Sequence, residues 1–352
     1  MISLAVLASS ALTAVTYTQE LYTRAVAGNA VSQYNLALCY YGGYGITANK
    51  AQAVQWFRKA AEQGIKEAQY NLGLCYYNGT GTTKNYQEAF KWYGKAAGQN
   101  MVDAAYCLAL CYQNGSGTGK NSAEAAKWYL KAAEGGIGEA MFNLAICYKD
   151  GDGVSASPEE AFKWFKRAAD KGMKAAYFTV GYDYYHGIGI TKNLPEAVKY
   201  YRLASDNGDK QAHFNLAYCY EKGIGVTADP KLAFAYYLKA AQAGIAEAQY
   251  IVADDYHWAK GTKQDRTQAF NWYKKAAEQG HPEACAFYGL MYYSGIEVPK
   301  NYEQVYLWLY IADKLGYNAQ KPYLDLVAES LTQEKIAELN KSGDARIKGF
   351  KK

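Results

Sequence analysis

The sequence has little of what breaks, cross-links or charges a chain. Six prolines in 352 residues leave long stretches free to stay helical, and the Ala-rich composition favours helix over strand. Lys and Arg outnumber Asp and Glu by only five, and the excess is spread along the chain. It gives no footprint for nucleic acid or an anionic membrane. The four histidines, His186, His213, His257 and His281, lie in separate contexts. No Cys-x-x-Cys motif occurs among the seven cysteines, which removes zinc-finger and thioredoxin chemistry. The one apolar run, Ile2 to Val15, is too short to span a bilayer. It reads either as a secretory signal cleaved near Ala11 or as an N-terminal capping helix, and no Lys or Arg follows Met1 to support the signal. Without cleavage the expectation is an intracellular protein with reduced thiols, and with it a secreted or periplasmic one.

What is abundant is tyrosine, 36 residues, and its positions are periodic. Tyr34-Asn35-Leu36-Ala37-Leu38-Cys39-Tyr40-Tyr41 returns thirty-six residues later as Tyr70-Asn71-Leu72-Gly73-Leu74-Cys75-Tyr76-Tyr77. The register continues through Tyr106, Phe142, Phe178, Phe214 and Tyr250, with a weaker eighth copy from Ala286 to Tyr292. A fixed period with no insertion marks a repeat architecture. Each copy reads as helix, Gly-containing loop, helix. Leu72, Gly73 and Tyr76 share one face of a 3.6-residue period, and the place of Gly73 holds only Ala or Gly in every copy. The second helix carries Ala89, Trp92, Tyr93, Ala96 and Ala97, so aromatic rings should fill the space that small residues leave. Gly79-Thr80-Gly81 and its equivalents form the turn. Gly64 and its equivalents close the second helix, with Asn100 taking that place once, as the next most tolerant left-handed cap.

These residues carry a family resemblance. Ala-x-Tyr-Asn-Leu-Gly-x-x-Tyr, Gly-x-Gly, then Ala-x-x-Trp-Tyr-x-x-Ala-Ala resembles the Sel-one-like repeat, a relative of the tetratricopeptide repeat, over about Gly28 to Gly316. The resemblance implies an all-α fold, a right-handed superhelical solenoid of about eight 36-residue helix pairs. The expected organisation is an apolar segment and capping helix over 1–28, the solenoid over 29–316, and capping helices over 317–352. In the last of these Thr332 is a candidate N-cap.

The implied function is an adaptor that binds segments of other proteins on the solenoid's concave face. No nucleic acid, integral membrane segment, cofactor or metal is expected, and the chain should be a monomer. By similarity with tetratricopeptide proteins, the columns of Tyr70, Asn71, Leu74, Tyr77 and Asn78 face the groove. Asn is unfavourable inside a helix. The recurrence at Asn35, Asn71, Asn143 and Asn215 therefore suggests either a ladder for a peptide backbone or bonds within the stack. The aromatic column of Tyr34 and Tyr70 fits core or interface. Copies that break the consensus give the candidate recognition patch: Tyr182, Tyr185, His186, Tyr218, Glu221, Asp254, His257 and Trp258. The seventh copy, Asp254-Asp255-Tyr256-His257-Trp258, also lacks the Gly-x-Gly loop. Asp254 and His257 could ligate a metal, but no third ligand is apparent.

Cys39, Cys75, Cys111, Cys147 and Cys219 occupy one column, where Cys reads as a compact hydrophobe. Equivalent atoms in adjacent copies should lie roughly 10 Å apart, too far to bridge. Asp183 and Asp255 fall in the same column and mark those two copies as wetter or specialised. The alternative function is a hydrolase or small-ligand binder like the cysteine-rich members linked to β-lactams. Their paired disulfide pattern is missing, as is the Ser-x-x-Lys motif of penicillin-recognising enzymes. No catalytic residue set is identified.

Overall fold

A computed structural model describes residues 15–350, so the apolar stretch up to residue 14 and its candidate cleavage point lie outside the described residues. Nineteen helices, and no strand, make up the described chain. A short α1 (Gln19–Val26) comes first, then pairs of thirteen-residue helices in strict register. They are α2 (Ala30–Gly42) with α3 (Lys50–Glu62), α4 (Lys66–Asn78) with α5 (Tyr86–Gly98), α6 (Val102–Asn114) with α7 (Ser122–Glu134), and α8 (Gly138–Asp150) with α9 (Pro158–Asp170). The series continues with α10 (Lys174–His186) and α11 (Leu194–Asp206), then α12 (Lys210–Lys222) and α13 (Pro230–Gln242). It ends with α14 (Ala246–Trp258) and α15 (Arg266–Glu278), and α16 (Pro282–Ser294) and α17 (Tyr302–Lys314). Helices α18 (Lys321–Ala328) and α19 (Gln333–Phe350) pack on α17. The chain divides into two compact units within α10, after Ala176, with residues 188–190 belonging to the first. In each unit a helix touches chiefly its neighbours in sequence, the contact pattern of an α-solenoid.

Local chemistry sets the helix ends. An Asn, Ser or Asp precedes each second helix and accepts a hydrogen bond from the third helical N–H, as Asn85 does from Glu88 N at 3.0 Å. Thr332 does the same for Lys335 N at 3.2 Å. Asn100 adopts positive φ (58°), as its place at a helix end requires.

The core is a column of aromatic rings from the second helices, among them Phe57, Tyr93, Tyr129, Tyr201, Tyr237 and Tyr273, all fully buried. Each meets the aromatic residue of the first helix of its own pair, with centroids 5.2 to 6.1 Å apart from Tyr34–Phe57 to Tyr250–Tyr273. A methyl group on Gly73 would lie 2.7 Å from the Tyr93 ring, so the small column is what admits these rings.

The two glycines of each turn have different tasks. A Cβ on Gly81 would collide with the carbonyl of Lys50, in the first turn of the preceding pair's second helix. Gly117, Gly153, Gly189, Gly225 and Gly261 meet the same backbone at Tyr86, Ser122, Pro158, Leu194 and Pro230. A Cβ on Gly79, the first of its pair, would meet Lys84 at only 3.4 Å. The seventh copy keeps Gly261 and replaces the other glycine with Ala259, which holds positive φ (60°). The departure seen in its sequence therefore leaves the turn itself intact.

Candidate functional site

Polar side chains tie successive pairs together. Gln69 Nε2 donates to the Ala61 carbonyl at 3.0 Å, and its Oε1 accepts from Gln99 Nε2 at 2.8 Å. Gln33 with Gln63 and Gln249 with Gln279 repeat this clamp. Between α11 and α12 it is replaced by Ser205 Oγ and His213 Nδ1 at 2.7 Å. Sequence reasoning missed these glutamines, although their recurrence at one register and the partner thirty residues on were visible.

The asparagine column is partly spent inside the stack. Asn71 is buried, and its Nδ2 donates to the Tyr34 hydroxyl at 3.4 Å. Asn143 is half-buried. Asn35 is also half-buried. Tyr70 and Leu74, from the columns expected to face a groove, are buried, whereas Tyr77 and Asn78 are half-buried.

In the second unit the candidate patch resolves into three cavities at consecutive junctions. The first, about 260 Å³, is lined by Tyr182, Tyr185, His186, Tyr201, Phe214, Asn215 and Tyr218. The second, about 370 Å³, is lined by Glu221, Pro230, Ala233, Tyr237, Tyr250, Ile251, Asp254, Asp255 and Lys260. The third, about 300 Å³, takes His257, Arg266, Tyr273, Phe287, Leu290, Met291, Ser294, Ile296 and Glu297. Four register positions recur in all three: 185/221/257, 201/237/273, 215/251/287 and 218/254/290. The cavity is thus a product of the repeat, and its chemistry is set by what each copy places there. It runs from aromatic and polar, through acidic, to mainly apolar.

Around the first cavity Tyr182 and Tyr218 are exposed (40% and 39%), and the His186 ring lies 4.2 Å from that of Tyr182 and 4.9 Å from that of Tyr185. At the third, His257 stacks edge-on to Trp258 (4.5 Å), and its buried Nδ1 has no hydrogen-bond partner. Trp258 itself stands 58% exposed beside the cavity rather than in its wall.

The acidic cavity has a defined charge arrangement. Glu221 accepts from the Tyr237 hydroxyl at 2.7 Å and from Lys222 Nζ at 2.6 Å. Burial alone would raise the Glu221 carboxyl, but these two bonds outweigh it and hold the group below the usual range. Asp254 accepts from Lys260 Nζ at 2.9 Å and from the Tyr273 hydroxyl at 3.1 Å. Asp255 makes no side-chain hydrogen bond to any described residue. Burial, reinforced by the Asp254 and Glu221 charges and opposed by Lys260, pushes its carboxyl up to about 7.

All seven cysteines are buried and unbridged. Burial pushes the thiols of Cys75, Cys111 and Cys285 up to about 12 and those of Cys147 and Cys219 to about 11, which keeps them protonated and unreactive at neutral pH. Among the described residues no group of three or more His, Cys, Asp or Glu is placed to share a metal ion. No described helix is long and apolar enough to cross a membrane.

Fold and cavities define a helical-repeat solenoid of the kind that presents surfaces to other proteins. The Sel1 repeat model matches eight consecutive segments, from 30–65 to 282–317. The chain belongs to the Sel1 repeat family, whose repeats typically serve protein interaction. Two solved structures are similar over nearly the whole fold. One is a protective antigen present in uropathogenic Escherichia coli strains that displays an SLR fold, at 29% identity and TM-score 0.67, covering 94% of this chain and 79% of that one. The other is a Sel1 repeat protein from Oxalobacter formigenes, at 29% identity and TM-score 0.63, covering 88% and 89%. No curated protein sequence matches the chain.

Proposed function

We propose that this chain is an interaction scaffold that holds extended segments of partner proteins, and that its recognition patch is the row of cavities from Tyr182 to Trp258. The observation that supports this reading is the recurrence of one cavity geometry at three successive junctions, with the lining chemistry changed each time. A repeat that only spaced two ends would need no such variation. Exposed tyrosine and tryptophan beside concave polar sites is the composition of an interface anchor. Of the asparagines, Asn215 contributes directly, from the wall of the first cavity. Asn71 acts as a support, because it is buried and engaged with the Tyr34 hydroxyl, while Asn35 and Asn143, half-buried, are further candidate contacts.

The test is selection of displayed random peptides on the full chain. Peptides enriched by the wild type should be lost from both His257→Ala/Trp258→Ala and Tyr182→Ala/Tyr218→Ala proteins that retain the wild-type circular-dichroism spectrum and melting midpoint. Equal enrichment on those variants would reject the patch.

A further inference from the structure

The central cavity has one negative charge more than its neighbours balance. Glu221 is paired with Lys222 and Asp254 with Lys260. Asp255 is left without a cation of its own, although it is only 8% exposed and lines the cavity. Five of the eight copies place a cysteine at this position and one a methionine, so the fold itself does not ask for a carboxylate. An uncompensated carboxylate that is nine-tenths buried costs free energy unless a partner answers it. The cavity, about 370 Å³, is far larger than the roughly 30 Å³ of a water molecule, and Pro230, Tyr250 and Ile251 supply apolar wall. This combination, apolar wall together with an unanswered acid, suits a long side chain with methylenes behind a charged head.

We infer that the cavity between α12 and α14 receives a lysine or arginine side chain from the bound segment, with its cationic head on Asp255. This inference rests on the reading of the chain as a peptide-binding scaffold. The next cavity along, walled by Tyr273, Phe287 and Leu290, takes a large apolar side chain from the same segment. Successive helix pairs stack roughly 10 Å apart and an extended chain advances about 3.3 Å per residue. The basic and apolar residues are therefore separated by about three positions. The charged groups facing Asp255 are Glu221 from α12 and Asp254 and Lys260 from its own segment, with Tyr237 from α13 beside them. Because Asp255 must ionise to hold the cation, binding strengthens as pH rises through 7 and levels off above it.

The experiment uses two synthetic peptide series, Z-x-x-Leu and Leu-x-x-Z, with Ser at x inside otherwise uncharged ten-residue frames and Z varied over Lys, Arg, Gln, Leu and Glu. Binding to the whole chain is read by fluorescence polarisation at pH 6 and pH 8. In at least one series Lys and Arg should bind about tenfold more tightly than Gln at pH 8, with most of that preference gone at pH 6. Asp255→Asn should abolish the preference, so that the Lys and Arg peptides bind it no more tightly than the Gln peptide. If peptides bind but Lys and Arg have no advantage, or the advantage survives in Asp255→Asn, the inference is overturned and the scaffold reading stands. Failure of every peptide here, together with failure of the random-peptide selection, overturns both.

Discussion

Tyr237, fully buried, donates its hydroxyl to Glu221 across 2.7 Å and so anchors from within the core a carboxylate that stands at the surface. The two lie sixteen residues apart, on α13 and α12. Tyr129 and Gln113 form the same bond at 2.6 Å three copies earlier. Tyr237→Phe keeps the ring, since Phe57 and Phe165 occupy the same place, and removes only the bond. The expected cost is about 1 kcal/mol, read as a lower urea midpoint. The Glu221 carboxyl, losing one of its two donors, should titrate at higher pH by NMR.

Tyr93 presents the opposite case. Its hydroxyl is buried without a hydrogen-bond partner, and the weakly bonding Cys107 thiol faces it. Tyr93→Phe should therefore stabilise the protein by about 1 kcal/mol, because it removes a desolvated group that nothing compensates. A urea midpoint unchanged or lowered would show that the phenol is satisfied in solution.

Asp255 gives a pH dependence of defined sign. Its carboxyl titrates near 7 in the fold against about 3.9 in an unfolded chain. Between those values the native state holds the proton that the unfolded state has lost, so stability falls as pH rises from about 4 to about 7 and is level above. Asp255→Asn should raise stability by roughly 2 to 4 kcal/mol at pH 8, the upper figure corresponding to the whole interval of about three pH units, and change it little at pH 4. Parallel wild-type and variant curves would contradict this.

The turn of the seventh copy separates the roles of its two small residues. Ala259 carries a Cβ at positive φ, which costs roughly 1 kcal/mol relative to glycine. Ala259→Gly should recover about that amount. Gly261→Ala should lower the melting temperature by more than the first substitution raises it, because a Cβ there meets the Pro230 carbonyl as well.

How much of this was legible in the sequence follows from how local each signal is. The helix pairs, the Asn100 cap and the small column opposite the rings were readable because each repeats at one register. The candidate patch was readable as a departure from that register, and seven of its eight residues line the three cavities. Trp258 stands beside them. What could not be read was which side chain answers which. The Tyr237–Glu221 bond, the Gln69–Gln99 clamp and the missing partner of Asp255 depend on neighbours sixteen to thirty-four residues away. Asp255 looked like a sign of a wet column, yet it is buried, and only the cavity beside it shows why its charge matters.

The seating of Gly81 and its equivalents on the preceding pair has an evolutionary consequence. The surface they rest on is main chain, so the residue beneath is free to be Lys50, Tyr86, Ser122, Pro158, Leu194 or Pro230. A duplicated or excised module of thirty-six residues would meet the same peptide backbone on either side of the splice. Within either unit, recombination can thus change the number and order of binding chemistries without having to redesign a joint.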